Sequence, residues 1–183
     1  MNINKLITLT RAGYDLLVNR ASSLQSPLLL VLRLYWGWAF FQTGLGKLHN
    51  LDRTTEFFQT LGLPLPGLNA AMAGTVECVG GLLLLAGLAS RLTAIPLIAT
   101  MIVAYLTAEI DTVKNIFNEP DKFLAADPFL FLLVSLLILI FGPGAVSLDR
   151  LIGAKARAIA DRTAAATEPE KPFVHSHERA IAN

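Results

Sequence analysis

The sequence predicts an all-α fold, a four-transmembrane-helix bundle with an N-terminal interfacial amphipathic helix and short outer-loop helices. Apolar residues make up 54% of its 183 residues and its mean hydropathy is +0.54, whereas soluble domains contain roughly 45 to 50% apolar residues. Four apolar segments follow one another along the chain. The alternative, a soluble core of buried helices, is disfavoured because too few polar residues remain to cover it.

Charge and cysteine content exclude several classes of function. The net charge is +1, so the chain lacks the strongly basic surface that binds nucleic acid, and we expect no nucleic-acid partner. Cys78 is the only cysteine, which excludes an intramolecular disulfide and a Cys-x-x-Cys pair. No metal site is predicted. The length fits one domain, whose transmembrane part we place at residues 27–152.

The four predicted spans differ in length and composition. The first covers residues 27–48 and, at about 1.5 Å per residue, crosses a hydrocarbon layer of about 30 Å. The second, residues 68–89, is rich in glycine, which lets helices approach closely in lipid. The third covers residues 92–110. The fourth, residues 128–141, is short and ends at a Gly-Pro-Gly cluster that breaks helices.

The positions of Lys and Arg predict the orientation of the bundle. With four spans, both termini lie on one side of the membrane, and cytoplasmic segments carry the excess of basic residues. The side of the termini has eight such residues near the spans and the opposite side has four, so both termini are predicted to be cytoplasmic. The eight are Lys5, Arg11, Arg20, Arg91, Arg150, Lys155, Arg157 and Arg162, and the four are Lys47, Arg53, Lys114 and Lys122.

The segments at both ends of the chain are predicted to lie outside the bilayer core. Residues 1–26 bring Tyr14 and Leu17 to one helical face and Arg11 to another, which indicates an amphipathic helix on the membrane surface. Residues 153–183 are predicted to be a cytoplasmic tail. After about Ala160 the tail lacks sustained periodicity, and we expect it to be largely disordered.

The two outer loops are each predicted to contain a short helix. In the first, Asp52 is expected to cap a helix that carries Phe57 and Phe58 and ends at Gly62, which forms a lid over the bundle. In the second, residues 111–127 mix apolar and charged side chains. This composition predicts a second cap at the membrane interface.

Two charged side chains, Arg33 and Glu77, lie well inside the predicted spans, where an unpaired charge is costly. Arg33 shares one face of the first helix with Gly37, and Glu77 shares one face of the second with Gly81. Counting from the cytoplasmic ends of the spans gives depths of roughly 9 and 18 Å, an offset that long side chains can bridge. We therefore predict an Arg33–Glu77 pair. Whether this pair only fixes the packing or lines a functional cavity stays open.

Three more residues are candidates for a polar pocket at the outer end of the bundle. Lys47 is predicted to extend to the lipid headgroups or, less favoured, to pair with Glu109. Tyr105 shares a face of the third span with Glu109, so Lys47, Tyr105 and Glu109 together form the candidate pocket. No catalytic residue is identified. Trp36 and Trp38 are predicted to contact other helices or lipid, with stacking on a quinone as the minority interpretation.

Histidines do not indicate a cofactor. His49 is interpreted as a solvated residue at the membrane interface, and His175 and His177 form an isolated His-x-His pair in the predicted tail. The spans contain no pair of histidines that would hold a haem. We therefore predict that this chain carries no bound cofactor of its own, with a quinone as the exception worth testing.

Four motifs follow one another in the chain: Arg33 with Gly37, Phe41, Gly44, Lys47 and Leu48; Phe57 to Pro64; Glu77 to Gly87; and Phe141 to Asp149. In this order they resemble the DoxX family of integral membrane proteins. The resemblance covers residues 27–152 and implies a four-helix bacterial inner-membrane protein, related to a subunit of an archaeal thiosulfate:quinone oxidoreductase. It also marks Arg33, Lys47, Glu77, Gly81 and Asp149 as positions of the family pattern. The chain departs from that pattern in the third helix, where Tyr105 and Glu109 stand in place of an expected histidine or other polar group.

These observations lead to one favoured function and two alternatives. The favoured hypothesis is a membrane subunit of a quinone-linked oxidoreductase assembly, related to thiol, sulfur or oxidative-stress chemistry, whose redox centres come from a partner protein. The alternatives are a carrier or channel for a small polar solute and a scaffold with structural charges. The expected partners are the lipid bilayer and a redox protein, and self-association into a homo-oligomer is left open.

Overall fold

The computed structural model describes residues 3–167, with side chains described for Ile7 and for residues 10–163. All regular elements in that part of the chain are α-helices. They are α1 (Ile3–His49), α2 (Leu51–Thr60), α3 (Pro66–Ala86), α4 (Ser90–Thr107), α5 (Ile110–Lys114), α6 (Pro120–Ala125), α7 (Pro128–Phe141) and α8 (Leu148–Thr167).

Helices α1, α3, α4 and α7 form the predicted four-helix bundle. Helix α3 packs between α1 and α4, and α7 packs against both α4 and α1, so the four helices close into a ring. The segments Thr10–His49, Pro66–Ala86 and Ser90–Thr107 are long and apolar enough to cross a membrane. Helix α7 is apolar but has 14 residues, a length of about 21 Å. The core consists of Phe40, Leu84, Leu97, Met101, Val134 and Ile138.

Helices α1 and α3 are in backbone contact at two levels. A Cβ atom on Gly37 would lie 3.1 Å from the carbonyl oxygen of Gly81. Seven residues further along α1, a Cβ atom on Gly44 would lie 2.7 Å from the carbonyl oxygen of Gly74 and would overlap the backbone nitrogen of Cys78. In lipid, small residues of this kind let two helices approach closely enough for extensive van der Waals contact. The α3 glycines therefore allow close packing, as predicted, and the helix that they contact is α1.

Two helices extend further than the sequence indicates. Helix α1 continues through Pro27, so the predicted N-terminal helix is not a separate element. Proline removes only one main-chain donor, and the chain around it contains no glycine or second proline that would end the helix. Helix α8 continues to Thr167, beyond the position near Ala160 where we expected disorder. The alanine-rich sequence there has high helix propensity. The rest of the predicted tail, residues 168–183, lies outside the described residues.

Short helices are present in both of the loops in which they were predicted. Helix α2 packs on α3 and ends before Gly62, which has a φ of +71°. Its N-cap is Asn50, and Asp52, the predicted cap, lies within the first turn. Helices α5 and α6 occupy the second outer loop. The chain divides into two compact units after Arg150, and α8, which begins in the first, has exposed apolar side chains in the second.

Candidate functional site: a cavity at the α2 end of the bundle

A large cavity lies at the α2 end of the bundle, the end at which α1 finishes and α3 begins. Its volume is about 960 Å³, which falls in the range of small-molecule binding sites. The wall is mainly apolar. It is formed by α1, α3, α4 and the start of α7, with α2 beside it, and includes Met72, Val76, Val103, Phe57, Phe58 and Phe131.

The cavity is open to the surface of the bundle. Met72 on α3 and Val103 on α4 line it, yet their side chains are 55% and 47% exposed. Residues with small or short side chains, such as Ala73 and Ala99, form the wall between these two helices. The cavity is therefore an open cleft beside α3 and α4 that a small molecule can enter from outside the bundle.

An ion pair between Lys47 and Glu77 forms the polar part of the wall. The Lys47 ammonium donates hydrogen bonds to both carboxylate oxygens of Glu77. The Glu77 side chain is 3% exposed and that of Lys47 is 30% exposed. The carboxylate is thus enclosed by protein, and the ammonium lies on the open side of the pair.

The predicted Arg33–Glu77 pair is wrong, and so is the favoured placement of Lys47 among the headgroups. The glycine contacts set the register of α1 against α3, and in this register Lys47 lies near Glu77 while Arg33 lies beside Gly87. Depths counted from the presumed ends of two spans do not contain this information. They would be valid only if both spans began at the same level.

Of the predicted outer pocket, Lys47 and Glu109 line the cavity and Tyr105 does not. Tyr105 is 4% exposed and its hydroxyl donates a hydrogen bond to the carbonyl oxygen of Phe123 at 2.9 Å. Its ring stacks on that of Phe123 with centroids 4.7 Å apart. Tyr105 therefore fastens α6 to the bundle. Glu109 accepts a hydrogen bond from the Thr112 hydroxyl at 2.8 Å and is not the partner of Lys47.

Arg33 belongs to a polar cluster at the opposite end of the bundle. Its side chain is buried, and its two terminal nitrogens donate hydrogen bonds of 2.7 Å to the carbonyl oxygens of Pro143 and Val146. These carbonyls belong to the Gly-Pro-Gly loop after α7. Because a guanidinium is a rigid fork of donors, it holds two points of the loop at once. Arg33 therefore joins α1 to the loop.

Asp149 has a similar structural role at the turn between α3 and α4. Its two carboxylate oxygens accept hydrogen bonds from the main-chain nitrogens of Ala89 and Ser90, at 2.6 and 2.9 Å. Ala89 has a φ of +48°, a left-handed conformation that costs a non-glycine residue roughly 1 to 2 kcal/mol. The carboxylate caps α4 and stabilises this strained turn.

We expect Asp149→Ala to lower the free energy of unfolding by about 1 to 2 kcal/mol, because it removes a helix cap. The measurement is unfolding of the purified protein in mixed micelles by increasing SDS. Asp161→Ala is the control, since Asp161 is an exposed acidic residue on α8. Equal stability of the two variants would contradict the capping role.

The remaining candidates lie away from the cavity. His49 is exposed at the end of α1, and Trp38 lies on the outer face of that helix, half exposed. Trp36 packs against the core. Cys78 is partly buried where α1 and α3 touch, in agreement with a packing role. His175 and His177 lie outside the described residues.

Fold and site together define a polytopic α-helical membrane protein with a ligand-sized cavity at one end of its bundle. The chain belongs to the DoxX family. The family profile matches residues 28–110, a range that includes Arg33, Lys47 and Glu77. No solved structure matches the chain.

Several bacterial relatives are similar over most of their length. The chain is 33% identical over 117 residues to "Putative oxidoreductase CatD" of Bacillus subtilis, a match that covers 56% of this chain and 86% of that protein. It is 30% identical over 148 residues to "Uncharacterized membrane protein Rv3486" of Mycobacterium tuberculosis, covering 74% and 88%. It is 31% identical over 130 residues to "Inner membrane protein YphA" of Escherichia coli, covering 67% and 89%.

Proposed function

We propose that this protein is the membrane subunit of an oxidoreductase assembly and that it binds a quinone in the cavity at the α2 end. The observation that carries the proposal is the combination of an apolar cleft open to the surface of the bundle with the Lys47–Glu77 pair in its wall. The name of the similar Bacillus protein supports an oxidoreductase role. We place the assembly in a bacterial inner membrane, with both termini in the cytoplasm.

The chemistry of the wall suits a quinone better than an ordinary apolar ligand. A quinone has carbonyl oxygens that accept hydrogen bonds, and its reduced form has hydroxyls that donate them. An ammonium supplies donors and a carboxylate supplies acceptors, so Lys47 and Glu77 can hold either form. The apolar remainder of the cleft suits the ring and a hydrocarbon tail. The partner protein supplies the centre that exchanges electrons with the bound quinone.

The test is the binding of decylubiquinone to the protein in nanodiscs, measured by equilibrium dialysis. Ala73 lines the cleft, whereas Thr75, two residues further along α3, is exposed on the outside. We expect Ala73→Phe to weaken binding at least tenfold by filling the cleft and Thr75→Phe to leave it unchanged. We expect Lys47→Met to weaken it about tenfold, the equivalent of one charge-assisted hydrogen bond.

Two results would contradict the proposal. One is equal quinone uptake by the Ala73→Phe and Thr75→Phe variants, which would place the quinone in the lipid of the disc. The other is uptake of a small polar solute into proteoliposomes that Glu77→Gln abolishes, together with no quinone binding. That outcome would assign the cavity to a carrier.

A further inference from the structure

The face of α1 that points away from the bundle carries polar groups within the predicted span. Tyr35 and Trp38 are 66% and 50% exposed, and Gln42 is also exposed. Within the described residues, none of these three side chains has a hydrogen-bond partner. Tyr35 lies about 12 Å along the helix from Pro27, and Gln42 about 10 Å from His49. All three therefore face hydrocarbon at depth in the bilayer.

These side chains form a regular stripe. Together with Val31, which is 61% exposed, they occupy positions spaced by alternating steps of four, three and four residues. This spacing is the seam of two helices that cross at a shallow angle. It lies on the opposite side of α1 from Gly37 and Gly44, which contact α3. A shallow groove follows the stripe, lined by Val31, Leu34, Tyr35, Trp38, Ala39 and Gln42.

We propose that this stripe is a dimer interface, in which α1 of one copy packs in parallel against α1 of a second copy. Lipid is a poor occupant because a side-chain amide in hydrocarbon without a partner is costly. A second copy removes this cost because it places an identical side chain opposite each unpaired one. All copies insert in the same orientation, so a twofold axis along the membrane normal brings Gln42 opposite Gln42.

The amide of Gln42 is complementary to itself. It contains one acceptor oxygen and two donor hydrogens, so two facing copies form a reciprocal pair of hydrogen bonds. Such contacts between membrane helices each contribute measurably to association. The small side chain of Ala39, beside Gln42, lets the helices approach. The interface does not involve the cavity, so it stands or falls independently of quinone binding.

Cysteine cross-linking in native membranes tests the geometry. In a Cys78→Ala background, we expect Gln42→Cys to form a disulfide-linked dimer on mild oxidation, because equivalent residues meet at the axis. Ile102→Cys, on an exposed position of α4, is the matched control and should remain monomeric. Cross-linking of both variants to the same extent, or of Ile102→Cys alone, would overturn the proposal.

Association measured in vesicles tests the role of the amide. Single-molecule photobleaching of labelled protein, over a range of protein-to-lipid ratios, gives the dimer dissociation constant. We expect Gln42→Leu to raise this constant about tenfold and Gln42→Asn to keep it within about threefold of the original. A monomeric original protein, or equal dimerisation of the Leu variant, would contradict the proposal. Co-purification in a stable one-to-one complex with a different membrane protein cross-linked through position 42 would also overturn it.

Discussion

Gly44→Ala is expected to destabilise the bundle by about 3 kcal/mol or more, and Gly44→Leu to prevent its folding. A Cβ atom at this position would overlap the backbone nitrogen of Cys78 and lie 2.8 Å from its Cα atom. These are main-chain atoms of a neighbouring helix, which cannot turn aside as a flexible side chain does. The two helices would have to separate, and overpacking in a close-packed interior is costly even where the neighbours can shift.

Gly46 provides a matched control two residues away on α1. A Cβ atom there would meet nothing within 4 Å, so Gly46→Ala should leave the stability unchanged or raise it slightly, since alanine favours the helix. Unfolding of both variants by SDS in mixed micelles, followed by tryptophan fluorescence, compares them directly. If Gly44→Ala unfolds at the same SDS fraction as Gly46→Ala, α1 and α3 are not in backbone contact.

The spans and several helix ends can be predicted from the sequence alone. Long apolar runs predict the four spans because span length is fixed by the thickness of the bilayer. The ends of α2 and α7 are predicted because glycine readily adopts the positive φ values that end a helix, and Gly62 and Gly142 do adopt them. The continuity of α1 through Pro27 is not predicted. A proline disturbs a helix without dictating its end, and the contacts of Ser26 and Arg33 with the loop after α7 are formed only in the folded bundle.

The pairing of the buried charges was predicted incorrectly, although the sequence contains a usable signal. In an antiparallel pair of helices, seven residues forward on one correspond to seven residues backward on the other. Gly37 against Gly81 and Gly44 against Gly74 follow this rule. Extending it places Arg33 level with Leu85, two residues from Gly87, and Lys47 level with Ala71, six residues from Glu77 and closer to it than Arg33 is. Unless one contacting glycine pair is known, however, the sequence does not fix how far the two helices are shifted along their axes.

The family positions divide into two groups once their contacts are known. Arg33 and Asp149 hold main-chain groups at the Gly-Pro-Gly end of the bundle, and Gly81 allows two helices to touch. Lys47 and Glu77 lie in the wall of the cavity. Sequence patterns alone cannot separate these groups, because a buried cation that caps a loop and one that faces a ligand occur at equally apolar positions. Only the second group lines the cavity.

Lys47→Met is expected to lower the free energy of unfolding by about 3 kcal/mol, and Glu77→Gln by only about 1 kcal/mol. The asymmetry follows from burial. Loss of Lys47 leaves an unpaired carboxylate on a side chain that is 3% exposed, whereas loss of the Glu77 charge leaves an ammonium that is 30% exposed on the open side of the cavity. Water in the cleft hydrates the ammonium more fully than the carboxylate, since hydration depends on access.

The double variant Lys47→Met/Glu77→Leu distinguishes the loss of the ion pair from the cost of leaving one charge unpaired. Two apolar side chains of similar size fit the low-dielectric interior without an uncompensated charge, so most of the loss seen in Lys47→Met should be recovered. Lys122→Met is the surface control, because Lys122 and its partner Glu119 are both largely exposed and such pairs contribute little. Equal losses in Lys47→Met and Glu77→Gln would contradict the burial argument. Recovery of stability in the double variant without quinone binding would identify the pair as a ligand contact that the fold itself does not require.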